Sequence, residues 1–139
     1  MDVQFVASVS SIVADPSVAR AFFEQALGLS FEGEADDYVF TEKLGGVKHF
    51  GLWPLTQAAQ ACFGQSDWPS DVPIPQASLE FELTSPEAVP AAAAELAAQG
   101  HQLVHDARTE PWGQVIARLL GPAGIVVGVC YTPWFHGAD

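Results

Sequence analysis

The 139-residue chain has few basic side chains, only two cysteines and no long hydrophobic run. Five basic residues (Arg20, Lys43, Lys48, Arg108 and Arg118) face seventeen acidic ones, for a formal net charge of −12. Phosphate recognition needs a basic face, so this balance excludes DNA and RNA as expected partners. It speaks equally against docking on anionic lipid, whereas a cationic small molecule would be attracted. No apolar stretch approaches the roughly 18–20 residues of a membrane span. Met1–Ser10 also lacks the positive start of a signal peptide. The expected location is therefore cytoplasmic. Cys62 and Cys130 are too few for a disulfide framework and lack the CxxC spacing of zinc or redox sites, so free, packed thiols are expected. Gly-rich phosphate loops and Ser–His–Asp arrangements are not evident either.

What the chain does have is enough apolar material for one core. Hydrophobic residues make up 49% and charged residues 16%, which excludes global disorder and fits a single domain over residues 1–139. Residues 3–13 alternate as a strand. Asp15-Pro16 then supplies a helix cap followed by a proline at the first helical position. Val18, Ala21, Phe22, Ala26 and Leu29 recur at helical spacing, with Gly28 as the stop. Residues 38–44 and 47–55 read as strands around Gly45-Gly46. Gly64, Pro69, Pro73 and Pro75 mark residues 61–76 as a linker.

Beyond the linker the order restarts. Residues 77–83 alternate, and Ser85-Pro86 repeats the cap-plus-proline device about 70 residues after Asp15-Pro16. An alanine-rich helix over 91–98 ends at Gly100, and it either kinks at Pro90 or begins there. Strands are expected at 101–105, 114–120 and 125–131, with a turn at Gly121-Pro122-Ala123-Gly124. The repeat predicts an α+β fold of two βαβββ modules, about 3–60 and 77–135. They would form curved mixed sheets around a groove, with helices on the outer face. Such a groove is where a small ligand would sit.

Two pieces carry a family resemblance: V-A-D-P-S-V-A-R-A-F-F-E-Q-A-L-G in residues 13–28, and P-W-G followed by G-P-A-G in residues 111–124. With them the chain resembles the vicinal-oxygen-chelate superfamily of glyoxalases, bleomycin-resistance proteins and extradiol dioxygenases, from Val3 to about Tyr131. The resemblance implies paired βαβββ modules and a homodimer whose grooves use both chains. It also implies four metal-ligand positions, which fall here at Ser8, Gly51, Ser78 and Gly128. None of these offers an imidazole or a carboxylate, so a transition metal would be poorly held and no metal cofactor is expected. The resemblance therefore points to the metal-free branch, which binds and sequesters small molecules such as antibiotics or cationic aromatic compounds, and an enzyme is not favoured. The alternative is a metal-dependent lyase, isomerase or dioxygenase of the glyoxalase type.

Candidate ligand residues follow from alternation. His49, Gly51 and Trp53 share one strand face, with Trp53 offering a stacking surface. His49 is open to three readings: a surface residue, a general base, or a ligand to a displaced metal together with Glu80. Glu80 and Glu82 share a face with Ser78 and would set a charge preference, unless they pair with Arg118. Trp112 and Gly113 lie at a strand entry where a ligand could be covered. Tyr38 alternates with Phe40 on one face. Trp68 could be a lid, or could stabilise its loop or a dimer. His101, His105 and His136 are expected at the surface.

Overall fold

A computed structural model describes residues 1–122 and 124–137. The expected turn at Gly121–Gly124 contains Ala123, which lies outside the described residues. The fold is α+β, as the sequence predicts. Seven strands are β1 (Phe5–Val13), β2 (Val39–Thr41), β3 (Phe50–Pro54), β4 (Ala77–Glu82), β5 (Leu103–Thr109), β6 (Val115–Leu120) and β7 (Val126–Tyr131). Among the described residues, three α-helices are α1 (Pro16–Ala21), α2 (Leu55–Phe63) and α3 (Ala88–Ala98). Strand pairing is mixed, with the order β2-β3-β1 in the first half of the chain and β4-β7-β6-β5 in the second. The chain divides into two compact units, one of residues Ser8–Ser78 and one of Met1–Ala7 with Leu79–Asp139.

In the Ser8–Ser78 unit, Asp15 caps α1 by accepting from the Val18 N–H at 3.3 Å, with Pro16 in the first turn. The helix widens into a π-helical turn over Phe22–Ala26, and Gly28 leaves it with φ +73°. β1 pairs parallel to β3, and β2 pairs antiparallel to β3 with Phe40 opposite Gly51. Val13, Phe31, Val39 and Leu52 form the core, joined by Phe23 and Phe50. The expected third strand of this module is reduced to one bridge, Glu32 with Phe40. Leu55–Phe63 form α2, a helix the sequence reading did not expect between a strand ending at 55 and a linker starting at 61. Pro54 precedes it, Ala58, Ala59 and Cys62 are buried, and Gly64 closes it at φ +73°. Trp68 packs edge-on against Phe63 at 5.0 Å and donates Nε1–H to the Val72 carbonyl, so it stabilises its own loop.

The second unit carries the full strand–helix–three-strand order over β4 to β7. Ser85 accepts from the Ala88 N–H at 3.2 Å in the turn that leads into α3, whose N-cap residue, Glu87, makes no side-chain cap bond. Pro90 is the third residue of α3, inside the first turn, where an amide would have no intrahelical partner. The helix thus begins around Pro90 rather than kinking there. Leu83, Val89, Ala92, Ala93, Ala117 and Val129 form its core. The strand expected at 101–105 runs over Leu103–Thr109, with register shifts against β6. Cys62 and Cys130 are both buried and are not joined in a disulfide. Burial, reinforced by Glu80 and Glu82, pushes the Cys130 thiol far above its ordinary value, so it stays protonated. Among the described residues, no helix is long and apolar enough to cross a membrane.

Candidate functional site

In the Ser8–Ser78 unit the predicted residues Tyr38, His49 and Gly51 meet on one sheet face. Pairing of β2 with β3 brings the segment before β2 alongside β3, and the Tyr38 ring lies 5.9 Å from that of His49, nearly parallel. Phe40 stacks on His49 at 4.9 Å. Glu42 Oε2 lies 2.7 Å from His49 Nδ1, and His49 Nε2 lies 2.6 Å from the Tyr38 hydroxyl. That hydroxyl is 3.4 Å from Ser10 Oγ. It rests directly against Gly51, where any Cβ would fall inside the phenol group. Trp53 follows two residues later, half-buried and paired in register with Ile12. His49 is thus a partnered, mostly covered side chain.

In the second unit, Trp112, Gly113 and Glu80 meet through Gln114, a residue that sequence reasoning did not single out. Trp112 is 54% exposed and donates its indole N–H to Gln114 Oε1 at 3.0 Å. The Gln114 amide donates to Glu80 at 2.9 Å and to Thr132 Oγ1 at 3.1 Å. Gly113 has φ +97°, a conformation that favours glycine and turns the chain back into β6. The only available signal for Gln114 was its place two residues after Trp112, at the start of a strand. Glu82 lies fully buried. It accepts from the Thr132 N–H at 2.5 Å and lies 2.6 Å from His136 Nε2. Its carboxylate holds the segment after β7, and His136, exposed as expected, stacks on Tyr131 at 4.3 Å.

Arg118 does not pair with Glu80 or Glu82. Its guanidinium, 1% exposed as a residue, donates to Glu110 Oε2 at 3.0 Å and to His105 Nε2 at 3.0 Å, while Arg108 takes the other Glu110 oxygen at 2.8 Å. Glu110 lies in the β5–β6 turn, so strand alternation alone could not nominate it. His105, also expected at the surface, is half-buried. Burial, then the charges of Arg118 and Arg108, hold its imidazole below the ordinary range, despite its bond to the Asp106 carbonyl and the opposing charge of Glu110. For Glu110, burial acts to raise the carboxyl, but the hydrogen bonds and charges of Arg108 and Arg118 prevail and hold it low.

These two shifts have the same sign for stability. The unfolded chain takes up protons that the folded protein resists, so acid favours unfolding. The His105 contribution is full above about pH 6.5 and is lost as pH falls below that value. The Glu110 contribution starts to fade below about pH 4.3, as pH falls toward its folded value. The urea midpoint is therefore expected to drop in two stages on acidification. His105→Asn should flatten the stage between about pH 7 and 5, and an unchanged profile in that variant would count against this assignment.

The four positions that the family uses for metal do not fit one here. Ser8 and Ser78 are buried hydroxyl side chains, and Gly51 is covered by the Tyr38 hydroxyl. At Gly128 a Cβ would meet Ile116 Cδ1 at 2.9 Å and Glu80 Cγ at 3.3 Å, so an added side chain would have to shift both. Serine and glycine are poor donors for a transition metal. Among the described residues, no group of three or more His, Cys, Asp or Glu is placed to hold a metal ion. Two shallow hollows in the Ser8–Ser78 unit, of about 180 and 270 Å³, are lined by other residues, including Arg20 and Asp37 in one and Thr41 and Lys43 in the other.

The glyoxalase/bleomycin resistance protein/dioxygenase superfamily model matches residues 6–129. Curated proteins give no match. Among solved structures, the fold is similar to a glyoxalase/bleomycin resistance protein/dioxygenase superfamily member from Vibrio splendidus 12B01, at 17% identity and a TM-score of 0.57, covering 94% of this chain and all of that one. It is similar to a mutant of homoprotocatechuate 2,3-dioxygenase from Brevibacterium fuscum, at 19% identity and a TM-score of 0.62, over 94% of this chain but only 33% of that enzyme. It is also similar to a Legionella pneumophila protein named NAD-dependent benzaldehyde dehydrogenase, at 12% identity and a TM-score of 0.60, covering 89% of this chain and 96% of that one. At these identities the likeness is one of fold.

Proposed function

The chain belongs to the glyoxalase/bleomycin resistance protein/dioxygenase superfamily, and from that premise we propose that it is a metal-independent protein that binds and sequesters small molecules. One observation carries this reading: at Gly51, where family enzymes place a metal ligand, the Tyr38 hydroxyl fills the space a side chain would need, and Ser8, Ser78 and Gly128 bring no imidazole or carboxylate. A Lewis-acid reaction has no donor set there. Each unit keeps a ligand-facing patch of its own. One presents Tyr38, His49 and Trp53; the other presents the exposed Trp112 beside Gly113, with Glu80 supplying negative charge and buried Glu82 behind it. The acidic balance favours cationic or hydrogen-bond-donating compounds, antibiotics of that kind among them. The protein acts as a homodimer in the cytoplasm, and light scattering should give twice the chain mass.

Calorimetric titration against a panel of aromatic and cationic compounds should give saturable heat. Trp112→Ala or Trp53→Ala should then weaken a ligand of its own unit by about 1–3 kcal/mol, the scale of a buried aromatic contact. A broad panel without a binder would remove the reading. A stoichiometric divalent metal in the purified protein, with activity lost to chelator, would instead favour a lyase, isomerase or dioxygenase.

A further inference from the structure

Glu82 is a fully buried carboxylate whose basic partner comes from outside the sheet. Its Oε2 accepts from the Thr132 N–H and lies 2.6 Å from His136 Nε2, while the Cys130 thiol donates to Oε1 at 3.4 Å. The amide and the protonated thiol carry no charge, and buried Arg118 is bound to Glu110 instead. Among the described residues, His136 is the one basic side chain within ion-pair distance of Glu82. An ionised carboxylate only accepts, so His136 Nε2 carries the proton between them. The imidazole lies flat on Tyr131, with ring centroids 4.3 Å apart and planes 16° from parallel, and Phe5 flanks it at 6.0 Å. All of these residues belong to the unit of Met1–Ala7 and Leu79–Asp139. His136 reaches the slot from a short segment: a single 3-10 turn, Pro133–Phe135, precedes it, and its own N–H bonds to the Pro133 carbonyl. Its side chain is 22% exposed, so the slot has an open edge.

We infer that His136 is the resident occupant of a binding site for flat, N–H-bearing cations, such as an imidazolium or guanidinium group on a small molecule, and that such a ligand enters by displacing the His136 ring. The inference rests on the ligand-binding reading above and assigns its charge recognition to Glu82, Tyr131 and Phe5. A buried ion pair is a poor means of gaining stability, since well-packed apolar residues do as well or better. A carboxylate at the end of an aromatic slot instead matches a flat cation, through a charge-assisted hydrogen bond and attraction to the ring faces. The exchange replaces like with like: Glu82 keeps an N–H donor and Tyr131 keeps a stacked partner. The body of a larger ligand extends through the open edge. A neutral ring without an N–H would leave Glu82 buried with no counter-charge.

In the full chain, His136→Gly vacates the slot. Imidazole at about pH 6, where the ring is mostly protonated, should bind this variant with a Kd of about 1–10 mM, a scale suited to so small a ligand. It should raise the urea midpoint of the variant as it binds. Thiazole, a flat ring of similar size without an N–H, should bind at least about 10-fold more weakly, the effect of one hydrogen bond to a charged group. Adding Tyr131→Leu should weaken imidazole binding further. In the unaltered protein His136 competes, so imidazole should bind about 10-fold more weakly than in the variant. At about 0.3 M imidazole, the proton NMR signals of the His136 ring should then move toward those of a histidine in solvent, with sodium chloride at equal ionic strength as the blank. Imidazole that fails to bind His136→Gly, or binds no better than thiazole, overturns the inference. Unmoved His136 signals in the unaltered protein overturn it as well, even if the variant does not fold. In each case the compound panel, run on the unaltered protein, decides separately whether the broader ligand-binding reading survives.

Discussion

Glu110→Ala should lower the unfolding free energy by about 3–5 kcal/mol, the cost of breaking a buried ion pair from one side. Arg118 is nearly fully buried, and both Glu110 oxygens are engaged, one by Arg118 and the other by Arg108. Removing the carboxylate takes the negative charge away from the buried Arg118 guanidinium while its hydrogen bond to His105 Nε2 remains. The Glu110 site is also covered, so water cannot readily replace the lost acceptor. Changing both partners to apolar residues, Glu110→Leu with Arg118→Met, should cost far less, because no uncompensated charge then remains inside. Urea unfolding of the three variants checks this. A loss below about 1 kcal/mol for Glu110→Ala would place the pair among exposed ion pairs of little worth.

Gly51→Val should destabilise the Ser8–Ser78 unit by an amount at or above the upper end of about 1–3 kcal/mol, the usual cost of overpacking. The reason is space and not backbone strain, since the added Cβ falls inside the Tyr38 hydroxyl. Tyr38 is held in place by His49 and by stacking on Phe40, so it cannot yield freely. Combining Gly51→Val with Tyr38→Ala should recover part of the loss, because the obstructing phenol is gone. Gly45→Ala is the control, since nothing lies within 4 Å of its added carbon. Thermal or urea unfolding that finds Gly51→Val as harmless as Gly45→Ala would mean that Tyr38 is not seated there. The same crowding means that Gly51→Glu cannot recreate a metal ligand without first displacing Tyr38.

Much of the fold was legible because its signals are local. Asp15-Pro16 and Ser85-Pro86 mark helix starts through bonds that act within three residues; Asp15 caps α1 as expected, while Ser85 holds the turn just ahead of α3. Alternation over 77–83 set Leu83 on the opposite face from Glu82. α2 escaped notice because its buried stripe is only Ala58, Ala59 and Cys62, small residues with a weak contrast, and the prolines beyond it suggested a linker. Its punctuation, Pro54 before and Gly64 after, was present but outweighed.

The chemistry of the candidate site divides in the same way. The sequence by itself determined which residue types stand at the four inherited metal positions, and alternation placed Tyr38 with Phe40 and His49 with Gly51. Only the tertiary structure decided the partners: Glu110 for Arg118, His136 for Glu82, Gln114 for Glu80, and the Tyr38 hydroxyl over Gly51. Side-chain alternation repeats every two residues and is written along the chain. Which two groups share a hydrogen bond depends on strand register and turn geometry, and those are settled by the packing of segments up to 54 residues apart.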